Sequence, residues 1–451
     1  MRTPTALHRL IPVSLAVFLM GAGGDRPALV DAVKSGDRDA LRTLLRKKAD
    51  VNAAAGDGST ALHWASYRDD LESADLLIRS GANVNATTDL GVTALWAASQ
   101  NGSAAMVRRL LAAGANPNLA LLAGETPLMV AARSGYPGVV EQLLDKHASV
   151  SARGARGQTA LMWAVAQKHS DVVKLLLEHG ADVQARSEVW SEMMAVPPHG
   201  YPEYNRQIPH GSDTALMFAA RVGDLASAKL LVAAGANVND ADAWGVSATV
   251  LAGHSGFRDL VEFLLENGAN PNAAAAGFTA LHEAIMRGDE KMVSALLDHG
   301  ADPNAPLRTW TPTRRSSYDY HFEPALVGAT PFWLAARFTE PGVMRLLVKH
   351  GGDPLFVHHS DEVGANKGFK HKTETATALM AAVGMGGGGT AWVQPAAAGE
   401  REALTLEAVR LAAELGVDVN ATNTAGRTAL DTAKALKYTS VVKFLLEKGA
   451  K

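Results

Sequence analysis

Between Gly157 and Gln184 apolar residues recur with two helical rhythms separated by a short polar break. Leu161, Ala164 and Val165 fall at i, i+3 and i+4, which predicts a short helix with one apolar stripe and small residues that let a neighbouring backbone approach. Thr159 stands where an N-cap is wanted, its hydroxyl able to accept from a free backbone N–H. His169-Ser170 breaks the pattern, and Val172, Val173, Leu176 and Leu177 then give a second helix a broad buried face. Gly180 ends it, because glycine is the cheapest residue in the left-handed conformation that closes a helix.

Nearly all of the chain copies this stretch. The residue that opens each copy is Thr60, Thr93, Thr126, Thr159, Thr214, Ser247, Thr279, Thr330, Thr377 and Thr428, and the first three intervals are 33 residues each. A fixed period of this size predicts a solenoid of stacked helix pairs, in which each repeat touches only its neighbours. The pattern Gly-x-Thr-Ala/Pro-Leu, then Ala-Ala, then Val-Val-x-x-Leu-Leu, then Gly-Ala-Asn/Asp-Val/Pro-Asn resembles the ankyrin repeat. The resemblance covers about ten copies and nearly the whole chain after its first residues. It implies an all-α solenoid of about eleven helix-turn-helix units with short β-hairpin fingers between them. Departures are few: Ser247-Ala-Thr-Val replaces Thr-x-Leu-x, and only His63 and His282 keep the histidine of the family motif.

Four intervals exceed the period, by 22, 18, 14 and 18 residues, and so measure four insertions. Residues 25–186 hold an N-terminal cap and regular repeats, and insertion 1 occupies 187–211. Repeats resume over 212–305, insertion 2 follows at 306–327, one repeat occupies 328–354, and insertion 3 lies at 355–375. The first three insertions fall where the family has its finger and are expected to enlarge fingers. Insertion 1 carries four prolines but also Trp190, Met193, Met194, Tyr201, Tyr204 and Ile208, so it reads as an ordered, packed loop. Insertion 4, at 386–403 within the final 376–451 segment, falls between the two helices of one repeat. It is expected to lengthen the turn at the end away from the fingers, with its second helix at Leu404 to Leu415. Polar Asp431, Thr432 and Lys434 on the first helix of the last repeat suit a C-terminal cap.

Charge and composition narrow the functional classes. The formal net charge is -3, from 43 basic and 46 acidic residues, which offers no field for nucleic acid or an anionic membrane. Absence of cysteine removes disulfides, thiolate metal sites and cysteine nucleophiles. Arg2, His8 and Arg9, the apolar run Leu10 to Met20 and the small residues Gly21 to Gly24 read as a signal peptide over residues 1–23. The expectation is therefore an exported protein, periplasmic or secreted, and of bacterial type, monomeric and free of the membrane once the signal is removed. The alternative for this terminus is a disordered or tethering segment, although the run is shorter than a spanning helix requires.

Candidate chemistry is sparse. Gly384 to Gly389 satisfies G-x-G-x-x-G by letter, but it follows a helix where a nucleotide cradle follows a strand. His199, His210, His321, His358, His359 and His371 lie in the finger insertions without any recognised metal-ligand spacing, and no metal or other cofactor is expected. Ser255 lacks the spacing of a nucleophile elbow. Asn85, Asn101 and Asn420 head glycosylation sequons at positions that the repeat itself dictates. Aromatic and guanidinium groups are the richer signal, since Tyr, Trp and Arg concentrate in binding hot spots. Arg314, Arg315, Tyr318, Tyr320 and Phe322 crowd insertion 2, while Trp190, Tyr201 and Tyr204 stand in insertion 1. These eight are the candidate partner-binding residues, with Trp310 expected to hold its loop to the stack. The sequence thus points to a non-enzymatic module that binds a protein through its concave face and enlarged fingers, as ankyrin arrays mainly do. The alternative is that the insertion loops build a metal, small-molecule or hydrolytic site.

Overall fold

The computed structural model describes residues 27–194, 206–311, 322–364, 370–387 and 398–451. It divides into two compact parts, one ending at Asp182 and one beginning at Val183. Within each, the architecture is an all-α, ankyrin-like solenoid of helix pairs.

The first part holds five pairs: Ala28–Ser35 with Arg38–Arg46, Ala61–Tyr67 with Leu71–Arg79, Ala94–Asn101 with Ala104–Ala112, Pro127–Ser134 with Pro137–Asp145, and Ala160–Ala166 with Ser170–Glu178. First helices stack on first helices and second helices on second helices. The second part holds six pairs: Ala215–Val222 with Leu225–Ala233, Ala248–Ser255 with Arg258–Glu266, Ala280–Met286 with Glu290–Asp298, Pro331–Arg337 with Pro341–Lys349, Ala378–Ala382 with Ala398–Glu414, and Ala429–Leu436 with Thr439–Glu447. The predicted stripe is the buried one: Leu161, Ala164, Val165, Val172, Val173 and Leu176 are each at most 1% exposed, with Leu177 half-buried at the edge. Thr159 caps as its position requires, its Oγ1 accepting from the Met162 N–H at 3.4 Å.

Two side-chain devices join successive repeats. Asn52, Asn85, Asn239, Asn272, Asn304 and Asn420 each donate from Nδ2 to a glycine carbonyl at the end of the following repeat, while Oδ1 accepts the backbone N–H two residues beyond that glycine. The second device is the buried histidine. His63 Nδ1 accepts from the Thr60 N–H at 3.1 Å, which fixes the tautomer so that Nε2–H donates to Val92 O at 2.9 Å. His282 does the same between Thr279 and Ala305. In the Thr330 repeat a tryptophan replaces the histidine, and its indole makes the equivalent bond: Trp333 Nε1–H donates 2.9 Å to Ala376 O, the residue just before Thr377.

The regular fingers are short. They close on one or two backbone bonds, such as Thr88 N–H to Val92 O at 3.0 Å and Gly91 N–H to Thr88 O at 2.9 Å, with no strand ladder. Ladders occur, among the described residues, in insertions 1 and 3. Strands β1 (Trp190–Met194) and β2 (Arg206–His210) pair antiparallel, Trp190 opposite His210; β3 (Val357–Gly364) and β4 (Lys370–Thr377) pair with Val357 opposite Thr377. Pro209 is tolerated in β2 because a two-stranded ribbon has a free edge. Met193, expected to pack, is 63% exposed.

Insertion 4 departs most from expectation. Its second helix begins at Ala398, six residues before Leu404, and runs 17 residues where the other second helices have 9. Nor does the chain simply leave from the far end. After Ala382 it doubles back beside the short first helix, so that a Cβ on Gly386 would lie 2.5 Å from Trp333 Cζ2 and 3.0 Å from Ala376 Cβ. Gly386 has φ +94°, and its neighbour's carbonyl, Gly387 O, accepts from Arg337 Nε and Nη2, each at 3.3 Å. Gly386 is therefore explained by close approach to an indole, and Gly384, Gly386 and Gly387 by positive φ, with no phosphate cradle required among the described residues.

Candidate functional site

The Thr330 repeat receives the bases of two enlarged fingers. Insertion 2 enters through Leu307, whose N–H donates to Ala329 O at 2.9 Å, and Arg308 N–H donates to Gly277 O of the preceding finger at 2.8 Å. The two limbs of the loop then bond to each other, Thr311 N–H to Phe322 O at 3.0 Å and Phe322 N–H to Thr311 Oγ1 at 2.8 Å. Leu307, Trp310, Phe322 and Leu326 are all buried beneath it. Gly277 has φ +95° and a Cβ there would meet Thr309 at 2.6 Å, so this approach too depends on glycine.

Trp310 anchors its loop as expected. Phe322 does so as well, which corrects its assignment to the partner-facing set: it is 1% exposed, its ring 5.6 Å from Phe278 and 6.2 Å from His282. Phe278 in turn meets Trp244 edge-on at 5.7 Å, so an aromatic column runs along three successive fingers. The Phe322 ring contributes apolar burial and ring contacts to this column, and almost none of its surface is left for a partner. Arg314, Arg315, Tyr318 and Tyr320 lie outside the described residues, as do Tyr201 and Tyr204. Trp190 is half-buried and stacked on His210 with ring centroids 4.4 Å apart.

Insertion 3 roots on the same repeat. The β3 residue His358 is fully buried, its Nε2–H donating 2.8 Å to Ala325 O of insertion 2 and its ring 4.4 Å from Trp333. Burial holds its pKa below the ordinary histidine value, so the ring is a neutral structural donor. On the other strand, buried Glu374 accepts from Asn423 Nδ2 at 2.9 Å, and Thr375 N–H donates to Thr424 Oγ1 at 3.0 Å, tying β4 to the last finger. His359, Asp361 and His371 are exposed, with His371 Nδ1 2.9 Å from Asp361 Oδ1. Among the described residues no group of three or more His, Cys, Asp or Glu side chains is placed to hold a metal. Sequence reasoning missed Trp333 and Glu374; the signal for Trp333 was its place three residues after Thr330, where His63 and His282 stand after their threonines.

Elsewhere the candidates are absorbed by the architecture. Asn85, Asn101 and Asn420 of the sequons all spend their side-chain amides on carbonyls of other repeats, at 3.1, 2.7 and 3.2 Å. Ser255 is the last helical residue before Gly256 and donates weakly to Arg221 O at 3.4 Å. His179 and His299 close second helices, each with Nδ1 2.8 Å from a carbonyl four residues back. Among the described residues no helix is long and apolar enough to cross a membrane.

Comparison with known families settles what this arrangement is. A three-copy ankyrin repeat model matches residues 29–121, 96–187 and 210–306, and a many-copy ankyrin repeat model matches 161–232. The chain belongs to the ankyrin repeat family. No curated protein matches it. The matches stop at 306, where insertion 2 begins, yet the ankyrin helix pairs, the Thr caps and the asparagine bridges continue to the last repeat. Ankyrin repeat solenoids are characteristically non-catalytic scaffolds, and this one is consistent with a protein–protein interaction scaffold.

Proposed function

We propose that this ankyrin protein is an exported, monomeric interaction module that grips a protein partner with the enlarged fingers flanking the Thr330 repeat. The observation that carries this reading is the shared root: the bases of insertions 2 and 3 are bonded to one repeat and to each other, through Leu307 to Ala329 and His358 to Ala325. Such rooting is what a binding surface on loops needs, because contacts made from an unanchored loop lose affinity to ordering. Arg314, Arg315, Tyr318 and Tyr320, close together in the sequence of insertion 2, supply the hot-spot chemistry, and exposed Arg308 belongs to the same insertion. Trp190, Tyr201 and Tyr204 of insertion 1 form a second, separate set.

Capture from the exported fraction with the native chain, Arg315→Ala and Tyr320→Ala in parallel tests it. A partner retained by the native chain and released by both variants at unchanged melting temperature supports the site; a partner held equally by all three places the contact elsewhere. Export itself is checked by N-terminal sequencing of the mature protein, expected to begin near Gly24.

A further inference from the structure

A pocket stands beside the described ends of insertion 4. In several repeats the residue that starts the second helix packs over the left-handed residue of the preceding turn: Tyr136 on Gly102, His169 on Gly135, Phe257 on Gly223 and Glu340 on Gly288. In the Thr377 repeat the chain turns back toward Trp333 instead, and the second helix starts from Ala398. The turn of the Thr330 repeat, Phe338–Glu340, borders open space on this side. A pocket of about 390 Å³ stands there, lined by that turn, by Ala382–Gly384, by Arg401, Leu404 and Thr405, and by Thr432, Leu436 and Tyr438 of the last repeat.

Two further features mark this place. Thr339 has φ +58°, the one β-branched side chain among the described residues in a conformation that such residues rarely adopt. Its Oγ1 is spent on the Phe338 carbonyl at 2.6 Å, so the strain is held by the pocket wall itself. Charged groups border it as well, Arg337 with Glu323 and Glu374 acting on its guanidinium, and Arg401 on the second helix. Arg401 and Arg337 both line the space, whereas the acid at its rim, Glu340, is turned over Gly288 of the preceding repeat. Burial, and Glu290 beside it, hold the Glu340 carboxyl well above the usual carboxylate range. Phe338, Val383, Leu404 and Leu436 supply the apolar wall.

We infer that this pocket binds a small organic anion, a carboxylate with an apolar body, whose charged end meets Arg401 and whose body lies against Leu404 and Leu436. The volume lies within the range of small-ligand sites, and a few charged groups on an apolar wall are the usual composition of such sites. The site is independent of the finger wall, on the turn side of the repeats.

Isothermal titration of the full-length protein with hexanoate, benzoate, hexylamine and acetate tests the assignment. Hexanoate or benzoate is expected to bind at least tenfold more tightly than acetate, with no binding of hexylamine. Arg401→Gln should weaken the carboxylate at least tenfold, and Leu436→Trp, which fills the pocket from its exposed rim, should abolish binding without lowering the melting temperature. Preference for hexylamine, or carboxylate binding unchanged in both variants, overturns the inference. So does the absence of binding by any of the four at millimolar concentration.

Discussion

Acidification should loosen the stack from within at His282, and the size of the effect follows from the hydrogen bonds that hold the ring. His282 is 1% exposed; its Nδ1 accepts from the Thr279 N–H and its Nε2–H donates to Ala305 O, so the native site has room for the neutral ring only. Burial lowers its pKa from 6.5 to about 4. The unfolded chain therefore binds a proton more readily than the native one. Stability from this group is complete above about pH 6.5 and is lost as the pH falls toward 4. At 1.36 kcal/mol per pKa unit the loss approaches about 3 kcal/mol, with a slope of up to about 1.4 kcal/mol per pH unit. Because repeats are coupled only to their neighbours, the loss should concentrate in the Ser247, Thr279 and Thr330 repeats. Hydrogen exchange corrected for intrinsic rates, at pH 7.5 and pH 4.5, reads it amide by amide. His282→Gln cannot titrate, so its protection in these repeats should start lower and change less between the two pH values. An identical pH response in native and variant protein would refute the argument, since it would show that the proton is taken up elsewhere.

The asparagine bridge is missing where Ser151 and Leu355 occupy its place, so Ser151→Asn and Leu355→Asn should each stabilise their joint by about 1 kcal/mol, measured by urea unfolding. Removing an existing bridge, as in Asn272→Ala, should cost a similar amount. Gly386→Ala should destabilise by about 2 kcal/mol or more through positive φ and overlap with Trp333, and Trp333→His, which shortens the ring, should reduce that penalty in the double variant; additive effects would disprove the contact. Glu340 has a raised native pKa, so its contribution is present at low pH and fades as the pH rises through that value. Glu340→Gln should accordingly gain stability relative to the native chain above neutral pH and lose the advantage below pH 5, as followed by thermal melts across that range.

How far the chain explains itself from sequence differs sharply between the regular repeats and the insertions. A helical repeat writes its core in the spacing of apolar residues and its start in Thr and Pro, and each such position is local. The stripe from Leu161 to Leu176 and the cap at Thr159 could therefore be read directly. Insertions have no period to average over. Density of aromatics in insertion 2 indicated order but not direction, and Phe322 turned out to face Phe278 and His282, where burial outweighs any gain from exposure. Nothing in the glycines of 384–387 announced that they would lie against Trp333, because that contact joins residues 53 apart at Gly386 and depends on one missing Cβ.

One joint of the stack is built differently from the rest. Where the Thr60 and Thr279 repeats use a histidine together with an asparagine bridge, the joint after Thr330 has Trp333 and Leu355, neither of which can reproduce the original pair of bonds on its own. Compensation comes from both insertions that border it. The β3–β4 hairpin brings His358 under Trp333 and presents Ala376 O to the indole, while insertion 4 lays Gly386 and the Gly387 carbonyl over the other side, within reach of Arg337. Shortening either insertion should therefore weaken the Thr330–Thr377 joint before it alters any surface.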